Sequence, residues 1–227
     1  MFIHYRTEGI IIKKEEKGEA DLLFTVFTKD FGKMKILGKS VRKISSKLRP
    51  ATGIFSFSGI EFIQGKAQKI LTDAVLIGKS PELAKDLKKL RIAHKIAEVL
   101  DKLIKGQEYD EEIWKLLTKT FQKLGSPLIF HYFFWNLIAI LGYQPELYHC
   151  VYCHKKIAQE KNYFSRKEGG IICQKCSLGN NLELEIKPET IKILRIILKK
   201  DWATLLKLKF EAQYLKELSS CAKLQFI

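Results

Sequence analysis

The chain has 227 residues, 46% of them hydrophobic and 29% charged, and this ordinary globular composition excludes a low-complexity or linker-rich protein. Forty Lys and Arg residues against 25 Asp and Glu give a net charge of +15, which favours a nucleic-acid partner over a lysine-rich surface without a specific role. The charged N-terminus does not fit a signal peptide, and the longest apolar run, 128–143, is shorter than the roughly 20 residues of a membrane span. We therefore expect a cytoplasmic protein without membrane contact.

Short runs of β-type residues, separated by turns that carry glycine or charge, fill the first 80 residues. The predicted strands are 6–13, 21–28, 33–37, 54–64 and 69–77. Five strands in so short a segment predict a small closed barrel, which we assign to residues 1–79. The apolar positions change from odd to even at Ser58 and Gly59, and this change of phase predicts a β-bulge there.

Helical periodicity replaces the strand pattern from Ser80 and Pro81 onward. Helices are predicted from that point and at 111–124, 126–141, 188–200 and about 203–222. A cysteine-bearing insert at 149–181 divides the helical domain into 80–148 and 182–227. The predicted fold class is therefore α+β multidomain, with an N-terminal five-stranded barrel and a C-terminal α-helical domain that carries the insert.

Four cysteines form two pairs with the spacing of paired zinc knuckles: Cys150, Cys153, Cys173 and Cys176. Each two-residue gap lets both sulfurs face one ion, and the nineteen residues between the pairs allow a hairpin that returns the second pair to it. Two disulfides or four unrelated buried cysteines are the alternatives, but disulfides are rare in a cytosolic chain. The flanking His149 and His154 are able to replace a thiolate. Four thiolates complete the shell, so we expect one structural Zn²⁺.

The sequence does not match two enzyme motifs that it partly resembles, the phosphate-binding loop and the zinc-deaminase motif. The segment from Gly32 to Ser40 looks like a phosphate-binding loop, but five residues separate Gly32 from Gly38 where four are needed, and those residues are typical of a strand. The His-x-Glu of a zinc deaminase occurs nowhere in the sequence. Without an acid, base or nucleophile constellation, we expect a protein that is not an enzyme and binds no nucleotide.

The stretch 31–60 holds seven basic residues and no acid. We call these residues the basic track: Lys33, Lys35, Lys39, Arg42, Lys43, Lys47 and Arg49. Their charge predicts contact with DNA phosphates. Phe31, Phe55 and Phe57 lie among them and offer stacking faces for unpaired bases, a combination expected of oligonucleotide-binding (OB-fold) barrels, although simple core packing also explains each ring.

The run from Phe130 to Trp135 is aromatic on every side of a predicted helix. Such a pattern usually indicates interior packing. A hydrophobic groove for a partner peptide is the alternative. His131, within the run, is interpreted as a structural histidine.

Several short segments of the sequence resemble those of a known protein family. They are the opening segment 7–13, Gly18-Glu-Ala-Asp21, the Phe-Thr-x-x-Phe-Gly-Lys of 27–33, and the basic segment 38–49 that leads into Phe55. Together with the order barrel, helical domain and four-cysteine insert, they resemble the RecO family of bacterial recombination mediators. The resemblance is strongest at 1–60 and 142–176 and rests on pattern alone in the helices.

The resemblance implies an OB-fold barrel and a role in DNA repair and homologous recombination. Such a protein binds single- and double-stranded DNA, anneals complementary strands, and with RecR helps load RecA onto DNA coated with single-stranded DNA-binding protein. It implies contact of RecR with the barrel, contact of the binding protein's C-terminal tail with the helical domain, and a nucleoid-associated place in the cytoplasm. The alternative from the residues alone is an RNA-binding barrel and zinc-ribbon accessory protein of the ribosome or the transcription machinery.

Overall fold

A computed structural model describes residues 3–78, 86–106, 109–165, 167–179, 183–208 and 211–222. The chain divides into two compact units, residues 1–124 and 125–227. Among the helices in the described ranges, none is long and apolar enough to cross a membrane. The four-part division of the domains stays a prediction.

The first unit contains a closed barrel, as the strand pattern predicts. Its strands follow each other around the barrel in the order β1-β2-β3-β5-β4, with the bounds β1 His4–Lys17, β2 Asp21–Thr28, β3 Gly32–Gly38, β4 Phe57–Gln64 and β5 Lys69–Gly78. The paired strands are antiparallel except β3 and β5, whose short pairing is parallel. The segment that resembles a phosphate-binding loop is strand β3, as its residue types indicate.

Alternating inward residues fill the barrel with large apolar side chains. Phe24, Ile36 and Phe62 are almost completely buried in this core. The barrel wall is close-packed at Gly9 of β1, where a Cβ atom would lie 2.7 Å from the Cγ1 of Val26. A larger residue at that position would displace its neighbours, because protein cores have no spare volume.

The predicted bulge in β4 is wrong in its location. Strand β4 pairs with β1 without interruption, and the additional residue beside Ser58 lies on the partner strand β5, at Ile77. The odd-numbered apolar residues pack against helices instead. The Phe57 ring centroid lies 6.0 Å from that of Trp114, and Phe55, which precedes the strand, lies 4.9 Å from His94. Helix packing therefore explains a change of phase that the sequence attributed to strand curvature.

Two α-helices follow the barrel in the described part of the first unit, α1 Leu87–Leu103 and α2 Glu111–Phe121. Each begins after an aspartate, Asp86 or Asp110, whose carboxylate accepts hydrogen bonds from two backbone N–H groups of the first turn. The helix start predicted at Ser80 and Pro81 lies outside the described residues. Helix α2 packs against the barrel through Trp114, whose ring stacks 6.4 Å from that of Phe27 on β2.

The second unit is built around helix α3, Ile129–Ile140. Residues 131–135 are buried, which confirms interior packing for the aromatic run. Trp135 meets Phe164, and Tyr132 meets Trp202, in edge-to-face contacts at 5.9 and 5.0 Å. The other elements described in this unit are the three-stranded sheet β6 Asn162–Ser165, β7 Gly170–Cys173 and β8 Glu183–Ile186, and the helices α4 Pro188–Leu198, α5 Trp202–Lys207 and α6 Ala212–Ala222.

The single helix predicted at about 203–222 is two helices in the structure. Helix α5 ends at Lys207, and Leu208 has extended backbone angles, so the helical hydrogen-bond ladder cannot continue through it. Its buried residues are Trp202 and Leu205, whereas α6 buries Leu218 and Cys221. Apolar periodicity alone does not reveal a break in which both pieces present an apolar face to one core.

Candidate nucleic-acid interface and metal centre

The basic loop between β3 and β4 has a defined backbone. Successive turns cross it, with the N–H of Lys43 donating to the Ser40 carbonyl at 3.2 Å and the N–H of Ser46 donating to the Lys43 carbonyl at 3.0 Å. Ser40 has a positive φ of 55°, and its N–H donates to the Asp21 carboxylate at 2.7 Å. The loop is therefore held to β2 at its beginning.

The ends of this loop are anchored in the barrel core. Val41 and Ala51 are buried among the core residues, and Leu48 packs against them. The Ala51 carbonyl accepts a hydrogen bond from the Ser58 hydroxyl of β4 at 2.7 Å. Val41, Leu48 and Ala51 of the loop point inward, whereas its charged side chains and Ile44 face solvent.

Six of the seven members of the basic track are exposed: Lys35, Lys39, Arg42, Lys43, Lys47 and Arg49. Arg42 lies 3.2 Å from the Glu16 carboxylate in an exposed ion pair, which contributes little and is easily exchanged for another anion. Lys33 is different, because its side chain is only 14% exposed. Its ammonium group donates to the backbone carbonyl of Asp101 at 2.8 Å and to the carboxylate of the same residue at 3.0 Å.

The three phenylalanines of the track region are engaged in packing. Phe31 contacts Tyr5 and Phe62, with ring centroids 5.9 and 5.4 Å away. Phe55 is buried, and Phe57 is half-buried against α2. Core packing, rather than an open stacking face, describes these rings in the structure.

The first cysteine pair lies in a tight turn. The N–H of Cys150 donates to the Lys155 carbonyl, and the N–H of His154 donates to the Cys150 carbonyl, both at 2.9 Å. His154 has a positive φ of 55°, which closes the turn. The N–H of Val151 donates a hydrogen bond to the carbonyl of Ile171 in β7 at 3.0 Å, and this bond joins the turn to the sheet.

The second cysteine pair follows directly from β7. Strands β6 and β7 form the hairpin that the spacing predicts, and Cys173 ends β7. The sulfurs of Cys153 and Cys173 are 3.8 Å apart, and the N–H of Cys173 points to the Cys150 sulfur at 3.5 Å. All four sulfurs, including that of Cys176, lie within 4.8 Å of one another, which is close enough to hold one metal ion.

The thiols of this cluster influence each other's ionisation. Burial would raise the pKa of Cys150, but the backbone N–H groups of Cys153 and Cys173 outweigh it and lower that pKa to about 6. Contacts with the sulfurs of Cys173 and Cys153 raise the pKa of Cys176 to about 12. One thiolate forms readily and opposes the next, so four thiolates together require a cation. The donor set therefore fits a metal ion.

The two flanking histidines lie beside the cluster and are not members of it. The His149 ring is 3.8 Å from the Glu146 carboxylate, and the backbone N–H of His149 donates to the same group. No sequence signal identified Glu146 or the Lys33–Asp101 pair, because each depends on partners that the chain brings together only on folding.

Two family models match this chain almost end to end. "Recombination protein O N terminal" matches residues 1–79, and "Recombination protein O C terminal" matches residues 84–222. A "DNA repair protein RecO" of Dehalococcoides mccartyi is 30% identical over 218 residues, which cover 94% of this chain and 86% of the relative. Proteins of the same name from Syntrophomonas wolfei and a Thermoanaerobacter strain are also 30% identical, over 95% and 90% of this chain and 87% and 84% of their own lengths. With its closed barrel, its helices and its four-cysteine cluster, this chain belongs to the RecO family of DNA repair and recombination proteins.

Proposed function

We propose that this protein is a recombination mediator that binds single- and double-stranded DNA through the exposed part of the basic track and anneals complementary strands. The observation that carries the proposal is the set of six exposed cations, of which Lys35 is on β3 and five are on the loop that follows it. The backbone of that loop is fixed by turns and core anchors. Lys33 is left out of the proposed contact because its ammonium group is held by Asp101. The reaction is physical, and no covalent bond changes.

Annealing is slow without help because two polyanions repel each other. A basic loop that neutralises the phosphates of one strand lowers this repulsion and leaves the base edges free to pair. If about five of the exposed side chains contact phosphates, the logarithm of the affinity for single strands falls with the logarithm of the salt concentration with a slope of about −3.5.

The partners follow from membership of the family. We propose that the protein acts with RecR, which contacts the barrel, to load RecA onto DNA coated with single-stranded DNA-binding protein. The C-terminal tail of that binding protein is proposed to contact the helical domain. Because the rings of residues 131–135 are buried, we place this contact on the surface of the second unit and not at those rings.

We propose that the metal of the cysteine cluster is one structural Zn²⁺. A tetrahedral zinc site with bonds of about 2.3 Å places its sulfurs about 3.8 Å apart, and Cys153 and Cys173 have that separation. Four thiolates leave no open coordination position, so the ion would stabilise the insert and would not activate water.

The test is annealing of complementary single strands that are first coated with the cognate single-stranded DNA-binding protein, without ATP. We expect acceleration by the wild type and its loss when Lys39, Arg42 and Lys43 are all changed to Glu. The matched control changes three exposed lysines outside the track to Glu: Lys88, Lys119 and Lys192.

Both variants lose the same net charge, so a general electrostatic effect would slow them equally. If the wild type gives no acceleration, the mediator proposal fails. A preference for RNA over DNA of the same sequence would favour the RNA-associated alternative.

A further inference from the structure

One apolar side chain, Ile44, is exposed among the charged side chains of the basic loop. Ile44 is 92% exposed, more than any other large apolar side chain among the described residues. It lies between Lys43 and the pair Ser45 and Ser46, at the outer part of the loop. Isolated exposed apolar residues are common on protein surfaces, so exposure alone does not indicate a function, and the residues around Ile44 decide what covers it.

The loop backbone keeps Ile44 in solvent. Val41, three residues earlier, is 2% exposed and packs in the barrel core, and Ala51 anchors the far side of the loop. Between these anchors, turns at Ser40–Lys43 and Lys43–Ser46 set the direction of the chain. The side chain of Ile44 therefore has no route to the core that carries Val41.

The charges around Ile44 select the partner that covers it. Lys39, Arg42, Lys43 and Lys47 are all exposed on the same loop. An apolar protein surface would have to accept these cations without neutralising them, which is unfavourable. A nucleic-acid strand offers anionic phosphates and flat apolar base faces within each nucleotide, so it satisfies the cations and the apolar side chain together.

We propose that Ile44 inserts against the bases of the DNA strand whose phosphates the basic loop holds, and that it separates two neighbouring bases. This inference rests on the proposed function. Apolar side chains, isoleucine among them, act as such wedges in proteins that unstack base steps. Unstacking is less costly in a single strand than in a duplex, so the wedge favours unpaired DNA and keeps its bases apart for pairing with a second strand.

The experiment uses the full-length protein and a single-stranded oligodeoxynucleotide that carries one 2-aminopurine, whose fluorescence rises when it is unstacked. Wild-type protein is expected to increase this fluorescence on binding. Ile44→Ser is expected to abolish most of the increase and to weaken binding about fivefold, the loss of one apolar contact. The salt dependence stays unchanged because no charge is removed.

Two controls separate the wedge from general effects. Ile44→Leu keeps an apolar side chain and is expected to retain the fluorescence increase. Leu206→Ser removes another exposed apolar side chain, 63% exposed in the second unit, and is expected to leave binding unchanged. Ile44 is exposed, so its replacement leaves the fold intact, which near-ultraviolet circular dichroism checks.

The outcomes distinguish this inference from the proposed function. If Ile44→Ser retains both affinity and fluorescence while Lys39→Glu, Arg42→Glu and Lys43→Glu together abolish binding, the wedge is wrong and the DNA-binding loop stands. If the wild type does not bind the oligonucleotide, the proposed function fails first. If Ile44→Ser weakens binding to phosphatidylserine vesicles but not to DNA, Ile44 serves an anionic membrane and the inference is overturned.

Discussion

The hydrogen bonds from Lys33 to Asp101 predict that Lys33 stabilises the fold and does not bind DNA. Replacing this lysine tests the prediction. Lys33→Met keeps the aliphatic stem and removes the ammonium group that joins β3 to the last turn of α1. A hydrogen bond to a charged group contributes about 1.5–3 kcal/mol. The Asp101 side chain is 39% exposed and regains water when the partner is lost, so we expect the lower range, about 1–2 kcal/mol.

This loss would lower the melting temperature by about 3–6 °C, measured by differential scanning calorimetry. Binding of single-stranded DNA, followed by fluorescence anisotropy, should keep its affinity and its salt slope, because the Lys33 ammonium group is already held by Asp101. Lys35→Met is the matched control on the same strand, since Lys35 is exposed. It should change stability by less than about 0.5 kcal/mol and reduce the magnitude of the salt slope by about 0.7.

The reverse result would refute the assignment. If Lys33→Met leaves the melting temperature unchanged and reduces the salt slope, the ammonium group of Lys33 contacts phosphate and its bonds to Asp101 are not maintained in solution. If both substitutions reduce the slope equally, Lys33 contacts phosphate as Lys35 does and must be returned to the proposed DNA contact.

Three further predictions concern the metal centre and stability. Cys150→Ser is expected to reduce the bound metal from one ion to none by mass spectrometry, whereas Cys221→Ala, outside the cluster, retains it. The hydrogen bond from the Tyr148 N–H, helped by the N–H and the ring of His149, lowers the pKa of Glu146 below its ordinary 4.5, although burial opposes this shift. Its contribution to stability is therefore present above that pH and lost as the pH falls, and acid titration of Glu146→Gln should show a shallower loss. Asp110→Ala removes the N-cap of α2 and should cost about 1 kcal/mol in urea unfolding, whereas Asp110→Asn should cost little.

The barrel strands and the cysteine pairs were predictable because both signals are local. Strand alternation repeats every two residues, and the turns between the strands carry their own residue types. Ligand spacing within each cysteine pair requires only that two residues separate the thiols, and the hairpin of β6 and β7 then brings the pairs together. In these segments, neighbouring residues and distant contacts favour the same structure.

The structural predictions failed where the environment of a residue is set by residues far away in the sequence. The phase change near Ser58 indicated a bulge because the sequence does not show that Phe57 packs against Trp114 and Phe55 against His94. The helix predicted at about 203–222 likewise hid a break, since both halves bury apolar residues. Apolar patterns identify which residues are buried more reliably than they identify what buries them.

The same distinction applies to the basic track. Its charge is a property of the sequence and was evident without a structure. Whether each charged group is exposed or is held by another residue is a property of the fold. Lys33 and Lys35 lie on one strand with identical chemistry, yet Asp101, 68 residues from Lys33, holds only one of them. The sequence also does not reveal which apolar residue is exposed, because the path of the loop buries Val41 and leaves Ile44 in solvent. The proposed phosphate-binding surface is therefore defined by the cations that folding leaves exposed, and the loop after β3 keeps five of the seven track members in that state.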